Sequence, residues 1–339
     1  MNTLLSRRLG GFLLAASLLT FAACQQDPQS PNSAGMQPLS AGGSITWNAH
    51  PEIAYHDDTV IGTGKHAVTY PGIFVMDSTG ANWKCIGYST SYGGGNQPSW
   101  SGDGSAICWS GGNGGNFYIA KIGVSVVNGV PTGSGITTVV TTVPTDSIII
   151  NQSSWCPTAS TIAYTATDNH HQSPLVNNTR LFLVSSSGGT PSLIYSHDSE
   201  TFRGVTWSPD GSKIAIASGG RHSGVSTYSI FIVSASGTLL DSIGFSSSVG
   251  SIDWSRTSGK IAYCASSNLY TIDTAAGSSP TLILSGGTNG VQSPSWSPTD
   301  WKIAYSTSVS NSGTSVVQVS NGSHSQIHTT GLLPAWKRN

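Results

Sequence analysis

Charge is what this sequence has least of. Only 9% of its 339 residues are Asp, Glu, Lys or Arg, against about a quarter in an ordinary globular domain. With 14 Lys+Arg balanced by 15 Asp+Glu and no basic run, the chain offers no electrostatic footprint for nucleic acid. It also lacks a polybasic or polyacidic tail for a membrane surface or a partner. Helical periodicity is missing beyond the N-terminal stretch. A Gly-x-Ser-x-Gly elbow is absent, and Gly62-Thr-Gly-Lys65 lacks the spacing of a phosphate-binding loop, so nucleophilic catalysis has little support. Disorder is excluded as well, because the 37% of hydrophobic residues recur in short alternating runs that can build a core.

What is present begins with an address. Arg7 and Arg8 precede the apolar stretch from Leu9 to Ala23, which is too short for a bilayer span of about 20 residues and leads into Phe21-Ala-Ala-Cys24. This resembles a bacterial lipoprotein signal, which implies a signal peptide over residues 1–23 and lipidation of Cys24. The alternative is an ordinary secretory signal cut near Ala22. Residues 24–43, rich in Gln, Pro, Ser, Asn and Gly, read as a flexible tether. Gln25 is not the aspartate that commonly retains such proteins in the inner membrane, so the expected address is the bacterial envelope, lipid-anchored, at the outer membrane. Removing residues 1–23 takes away Arg7 and Arg8 and moves the net charge from −1 to −3.

From residue 44 to 339 the chain repeats. Trp207-Ser-Pro-Asp-Gly-Ser-Lys-Ile-Ala-Ile216 has counterparts starting at Trp100, Trp155, Trp254 and Trp296, each with the apolar pair beginning seven residues after the tryptophan. A shorter copy runs from Trp47 to Tyr55, and the tail Leu332-Leu-Pro-Ala-Trp336 copies only the first part of the unit. Each unit reads as a strand ending at Trp, a Pro/Asp/Gly turn, a second strand, a third such as Ser229–Val233, and a short fourth such as Thr281–Leu284. Repeats of 40 to 55 residues with four strands each predict an all-β, six-bladed β-propeller of antiparallel blades, closed by the C-terminal strand.

These repeats, with the closing Pro-Ala-Trp, resemble the TolB-like family of six-bladed propellers over residues 44–339. TolB as a family is a periplasmic protein with an α/β domain ahead of its propeller and binds an outer-membrane, peptidoglycan-associated lipoprotein. Ahead of the repeats only the signal and the tether are expected here, with no such domain, and this chain is expected to be lipidated itself. The resemblance therefore implies the fold and not that partner.

In such a blade, the first-to-second and third-to-fourth turns share one face of the disc and the other connections share the opposite face. The order of strands puts His56, Asp57, Asp58 and His66 on the second face, in the first repeat. Asp168, His170 and His171 join them from the third, Arg221 and His222 from the fourth. His197, Asp198 and Glu200 lie in the connection between these two repeats, with Arg203 starting the next inner strand. Six of the nine histidines fall there. Gln97, Gln152 and Gln292 begin inner strands on that face and are placed to line the channel mouth. The set forms a candidate binding face, although long loops also hold polar residues without any function.

No spacing matches a metal motif, so no cofactor is expected, with a divalent metal kept as an alternative. Of the remaining cysteines, Cys108 and Cys156 replace small residues of the repeat, and Cys85, Cys108, Cys156 and Cys264 read as mostly free, buried thiols, with one disulfide left open. The repeat tryptophans read as packing between blades, which leaves Trp83, Trp109 and Trp301 as candidates for ligand stacking. The expected role is a non-catalytic, lipid-anchored scaffold that binds an envelope protein or peptide through one face or the channel mouth. Two alternatives stand beside it: a metal-assisted polysaccharide lyase or hydrolase, and a glycan-binding module.

Overall fold

A computed structural model describes residues 51–338, except 62–66, 89–94, 114, 143–147, 169–177, 199, 223–224, 276 and 308–312. It contains six four-stranded antiparallel sheets, and its described helical content is a single 3-10 turn at Gly287–Asn289. The second to sixth blades are each continuous in sequence. Their innermost strands are β4 (Ser99–Trp100), β8 (Ile148–Trp155), β12 (Glu200–Trp207), β16 (Val249–Trp254) and β20 (Val291–Trp296). The first blade is composite. Its inner strand is β24 (Leu332–Trp336), followed by β1 (Ile53–Ile61), β2 (Val68–Met76) and β3 (Trp83–Tyr88).

One register governs the ring. Trp100, Trp155, Trp207, Trp254 and Trp296 stand opposite Ile107, Ile162, Ile214, Ile261 and Ile303. In the first blade Trp336 stands opposite Ile53. Trp47 lies outside the described residues, and the place its repeat assigns to a tryptophan is filled by Trp336 from the other end of the chain.

The core sits between blades. Six buried apolar clusters occupy the six interfaces, and each contains one repeat tryptophan. A sheet with two apolar faces must cover both, and closing the ring leaves no blade with an uncovered face. Polar ties reinforce this packing. In four blades the residue before the tryptophan reaches to the next blade: Trp155 N donates to Ser99 Oγ at 2.9 Å, Trp254 N to Thr206 Oγ1 at 3.2 Å, Trp296 N to Asp253 Oδ2 at 2.8 Å and Trp336 N to Ser295 Oγ at 2.9 Å.

The turn after each tryptophan explains the repeat's wording. In the fourth blade Ser208 Oγ and Ser212 N donate to Asp210 Oδ1 at 2.6 and 3.0 Å, and Gly211 takes φ +69°. The bond from the Ser208 hydroxyl, followed by those from Ser212, holds the Asp210 carboxyl down at about 2. Asp300 occupies the place of Gly211 in the sixth blade with φ +58°, a conformation that Asp tolerates better than most residues. Its carboxylate accepts from the backbone N–H groups of Arg256, Thr257 and Ser258 at 2.7 to 2.8 Å. Burial pushes the Asp300 carboxyl up, but these bonds and the Thr257 hydroxyl together bring it below its usual range. The fifth and sixth blades are thus clasped through one side chain.

Beyond the expected strands, the second blade extends β6 (Asn116–Val127) and β7 (Val130–Thr141) into a long hairpin. Asn128 and Gly129 both have positive φ at its tip, the Asn-Gly pair of a type I′ turn. Cys108, Cys156 and Cys264 are buried free thiols, and burial pushes the Cys108 thiol up to about 12.

Closure through Trp336 yields a direct prediction. Trp336→Ala should cost about 3–5 kcal/mol, as for a buried aromatic lost from a core. Ser295→Ala, which orphans the Trp336 amide, should cost about 1–3 kcal/mol. Urea unfolding monitored by tryptophan fluorescence measures both, and equal stability of wild type and Trp336→Ala would refute the closure role.

Candidate functional site

The two faces of the disc are built differently. On the tryptophan side, five residues separate inner from second strand in each of the five continuous blades: 101–105, 156–160, 208–212, 255–259 and 297–301. On the opposite side, the second-to-third-strand connection varies from two residues, 266–267, to nine, 169–177. The candidate residues gather on this variable side.

Several of them sit in strands and not in loops. β1 and β2 pair continuously to Ile61 opposite Val68, because Thr59, Val60 and Thr69, Tyr70 are β-formers that extend the ladder. His56, Asp57 and Asp58 therefore belong to β1. Asp168 closes β9 (Thr161–Asp168), His197 closes β11 (Ser192–His197), Arg221 and His222 close β13 (Lys213–His222), and Glu200 and Arg203 belong to β12. His66, His170 and His171 lie outside the described residues.

Burial separates these residues further. His56 is enclosed, with its ring edge-on to Trp109 at 6.3 Å, and its Nε2 has no partner. Burial pulls its imidazole down to about 4 against weaker opposing effects of the Asn96 and Gly72 backbone, so His56 is neutral at physiological pH. Glu200 is buried too, accepting from Ser218 Oγ at 3.1 Å and Thr227 Oγ1 at 2.8 Å. Asp168 pairs with Arg180 at 3.2 Å. His197 stacks on Phe231 of the fourth blade, with centroids 5.3 Å apart. Asp58, Asp198 and Arg203 are exposed, and Arg203 Nη1 donates to Ser248 Oγ at 3.1 Å. His197 and Asp198 thus lie at the end of the third blade's outer strand, and Arg203 on the fourth blade's inner strand. The first blade carries Asp57 and Asp58 across the ring from the fourth. Among the described residues, no group of three His, Cys, Asp or Glu is placed to hold a metal ion.

The channel mouth is held by its glutamines. Gln97 Nε2 donates to Pro294 O at 3.1 Å and Pro334 O at 2.8 Å, and Gln152 Nε2 donates to Gln97 Oε1 at 3.3 Å. Gln292 Nε2 reaches the Thr307 carbonyl at 3.5 Å. Deeper, toward the tryptophan side, lies a cluster that sequence reasoning missed. Arg256 Nη2 meets Asp253 Oδ2 at 3.0 Å and Arg338 Nη2 meets Asp253 Oδ1 at 3.6 Å. Arg338, from the first blade's side of the ring, also reaches Trp207 O and Thr206 Oγ1 of the fourth blade, each at 3.4 Å. Between glutamines and arginines the channel keeps a cavity of about 30 Å³, room for a water or two.

A signal for this cluster was present in the repeat. Two places after the tryptophan the other units have Gly102, Pro157, Pro209 and Pro298, whereas Arg256 and Arg338 occupy it here. One place before the tryptophan the others have Ser, Thr or Ala, and Asp253 is the acid.

Of the three tryptophans outside the repeat position, Trp109 is buried and Trp83 packs on Phe74 and His328. Trp301 is 78% exposed, beside a surface groove of about 540 Å³ lined by Asp300, Lys302, Gln318, Val319 and Ser320.

Six sheets in a ring, closed by a strand from the C-terminal end, decide the fold comparison. Its architecture is that of a TolB-like six-bladed propeller. TolB from Acinetobacter baumannii superposes with a TM-score of 0.60 at 17% identity, over 85% of this chain and 66% of that one. A putative TolB from Agrobacterium tumefaciens gives 0.53 at 17% identity, over 84% and 92%. Likeness also extends to Kuenenia stuttgartiensis hydrazine synthase, at 0.61 and 13% identity over 89% of this chain and 50% of that one. No protein-family model and no curated protein matches the sequence. The TolB-like propeller is thus shared as architecture.

The buried histidine sets a pH dependence. Unfolded His56 takes up a proton near pH 6.5, whereas folded His56 resists it until about pH 4. Stability should therefore fall as pH drops through this window, by about 1.4 kcal/mol per unit for one proton. Urea titrations of wild type and His56→Gln at pH 7, 5.5 and 4 measure it. The variant should lose less stability on acidification, and parallel pH profiles would contradict the neutral, buried assignment.

Proposed function

We propose that this chain is a non-catalytic, lipid-anchored propeller of the bacterial envelope that binds a protein or peptide through its variable face. Residues 1–23 direct export, Cys24 carries the lipid in the outer membrane, and residues 24–43 tether the body formed by residues 44–339. The observation that carries the reading is the contrast between faces. The turns that follow the repeat tryptophans are five residues long in each of the five continuous blades and serve the scaffold, while the second-to-third connections on the other side vary in length and chemistry, the usual arrangement where rigid folds display binding residues. The edge shared by the third and fourth blades, with Asp198 and Arg203 exposed, is the proposed contact region. By their place in the third and fourth repeats, His170, His171, Arg221 and His222 are proposed to contribute to it. The narrow channel argues for a surface contact over insertion along the axis. Among proteins of similar fold is a nidogen/laminin complex, at a TM-score of 0.58 and 9% identity over 84% of this chain and 98% of that one.

A glycan-binding reading rests on a separate observation, the exposure of Trp301 on the tryptophan side of the disc. An indole held open beside amide, hydroxyl and amine groups suits stacking against a sugar ring.

Two tests separate these readings. The protein should capture a defined set of envelope proteins, and the double variant Asp198→Asn/Arg203→Gln should lose at least tenfold of that capture while Cys24→Ala releases the chain from membranes. Undiminished capture by the double variant would overturn the contact region, and membrane retention of Cys24→Ala would overturn the anchor. For the second reading, Trp301→Ala should abolish retention on immobilised envelope polysaccharide with little change in stability; unchanged retention would dismiss it.

A further inference from the structure

The arginines in the channel carry more positive charge than the surrounding side chains neutralise. Side chains of Arg256 and Arg338 are 6% and 7% exposed, and the acid between them, Asp253, is 9% exposed. Among the described residues, two guanidinium groups thus share one carboxylate in a space largely closed to water. Asp253 is already occupied on both oxygens, accepting also from Thr206 Oγ1, Ser295 Oγ and Trp296 N. Asp300, the acid touching Arg256 through its backbone, spends its carboxylate on the N–H groups of residues 256–258. Lys337 adds a further cation nearby, over the ring of Trp100 at 5.8 Å.

A buried charge without a counter-charge costs several kcal/mol, and proteins rarely carry that cost uncompensated. Hydrogen bonding shows the same imbalance. Arg256 Nε and Trp336 Nε1 are buried donors with no acceptor among the described residues, and both residues line the channel cavity together with Arg338. Neither group can accept a hydrogen bond. Water would satisfy the donors and leave the charge; an anion satisfies both. With about 30 Å³ available, the guest must be compact.

From this surplus of cations and of donors, we infer that the central channel holds a compact monovalent anion of chloride size between Arg256 and Arg338. Its role is structural, joining the first, fourth and fifth blades at the axis through a shared counter-charge. The depressed Arg338 guanidinium, brought to about 9 chiefly by burial and then by Arg256, marks the same shortage of negative charge. The site lies apart from the variable face and from Trp301, so it does not depend on either reading of function.

Halide dependence tests it on the full-length chain. Thermal unfolding in sodium chloride or bromide should occur a few degrees higher than in sodium gluconate of equal ionic strength, with a saturating concentration dependence. Crystals grown in bromide should give an anomalous peak between Arg256 and Arg338. Arg338→Gln, which removes the surplus charge, should lose the halide increment. Asp253→Asn deepens the surplus and should shift the midpoint to lower halide concentration, so the two variants move in opposite directions. Identical melting in halide and gluconate without a bromide peak, or an undiminished increment in Arg338→Gln, would overturn the site.

Discussion

Opposite Ile53 stands Trp336, a residue from the far end of the chain, in the register that every other blade forms within a few residues of sequence. The ring depends on this pairing. A propeller blade has two apolar faces, and a row of six blades would leave one exposed at each end. Joining β24 to β1 covers both with each other and makes the last interface equal to the rest. It also converts a series of local contacts into a closed system, because no blade can then loosen without opening two neighbouring interfaces. The hydroxyl and carboxylate bonds from one inner strand to the next tryptophan amide run in the same sense around the axis and end on Trp336.

Closure also shapes what the molecule offers to others. Six strands converging on an axis leave little space, and the glutamines at one end and arginines at the other use most of it. Gln97 ties the second blade to the first and sixth, and Arg338 crosses to the fourth. The axis is therefore a place for fastening, and the open surfaces of the disc are its two rims. Those rims differ because turns that bracket the tryptophan must reproduce the inter-blade register, as the Asp210 and Asp300 turns do, whereas connections on the far side carry no such obligation.

Much of this was legible in the repeat. The Trp-to-Ile spacing, the Asp-Gly turns and the incomplete last unit together specify four-stranded blades, their number and the manner of closure, since each is a local pattern repeated in register. The site was less legible. His56 stands among polar residues in sequence, yet strand β1 continues past it and points it inward beside Trp109. Glu200 reads as part of a polar connection and is instead a buried acceptor for Ser218 and Thr227. Three-dimensional neighbours decide such cases, and the neighbours come from other strands. The Asp253, Arg256 and Arg338 cluster had a signature in its departures from the repeat, but its members are up to 85 positions apart and only the ring brings them together.

By itself the sequence determined the class of fold, the blade count, the turn chemistry and the scarcity of charge, which follows from turns written in Gly, Ser, Thr and Asn. These are properties of short segments and of their repetition, set by backbone preference and alternation of apolar residues. Tertiary structure alone decided which polar residues face solvent, that Trp301 is exposed while Trp109 is enclosed, and that two arginines meet one aspartate at the axis. Burial and charge balance are sums over residues that the chain keeps apart until the ring closes.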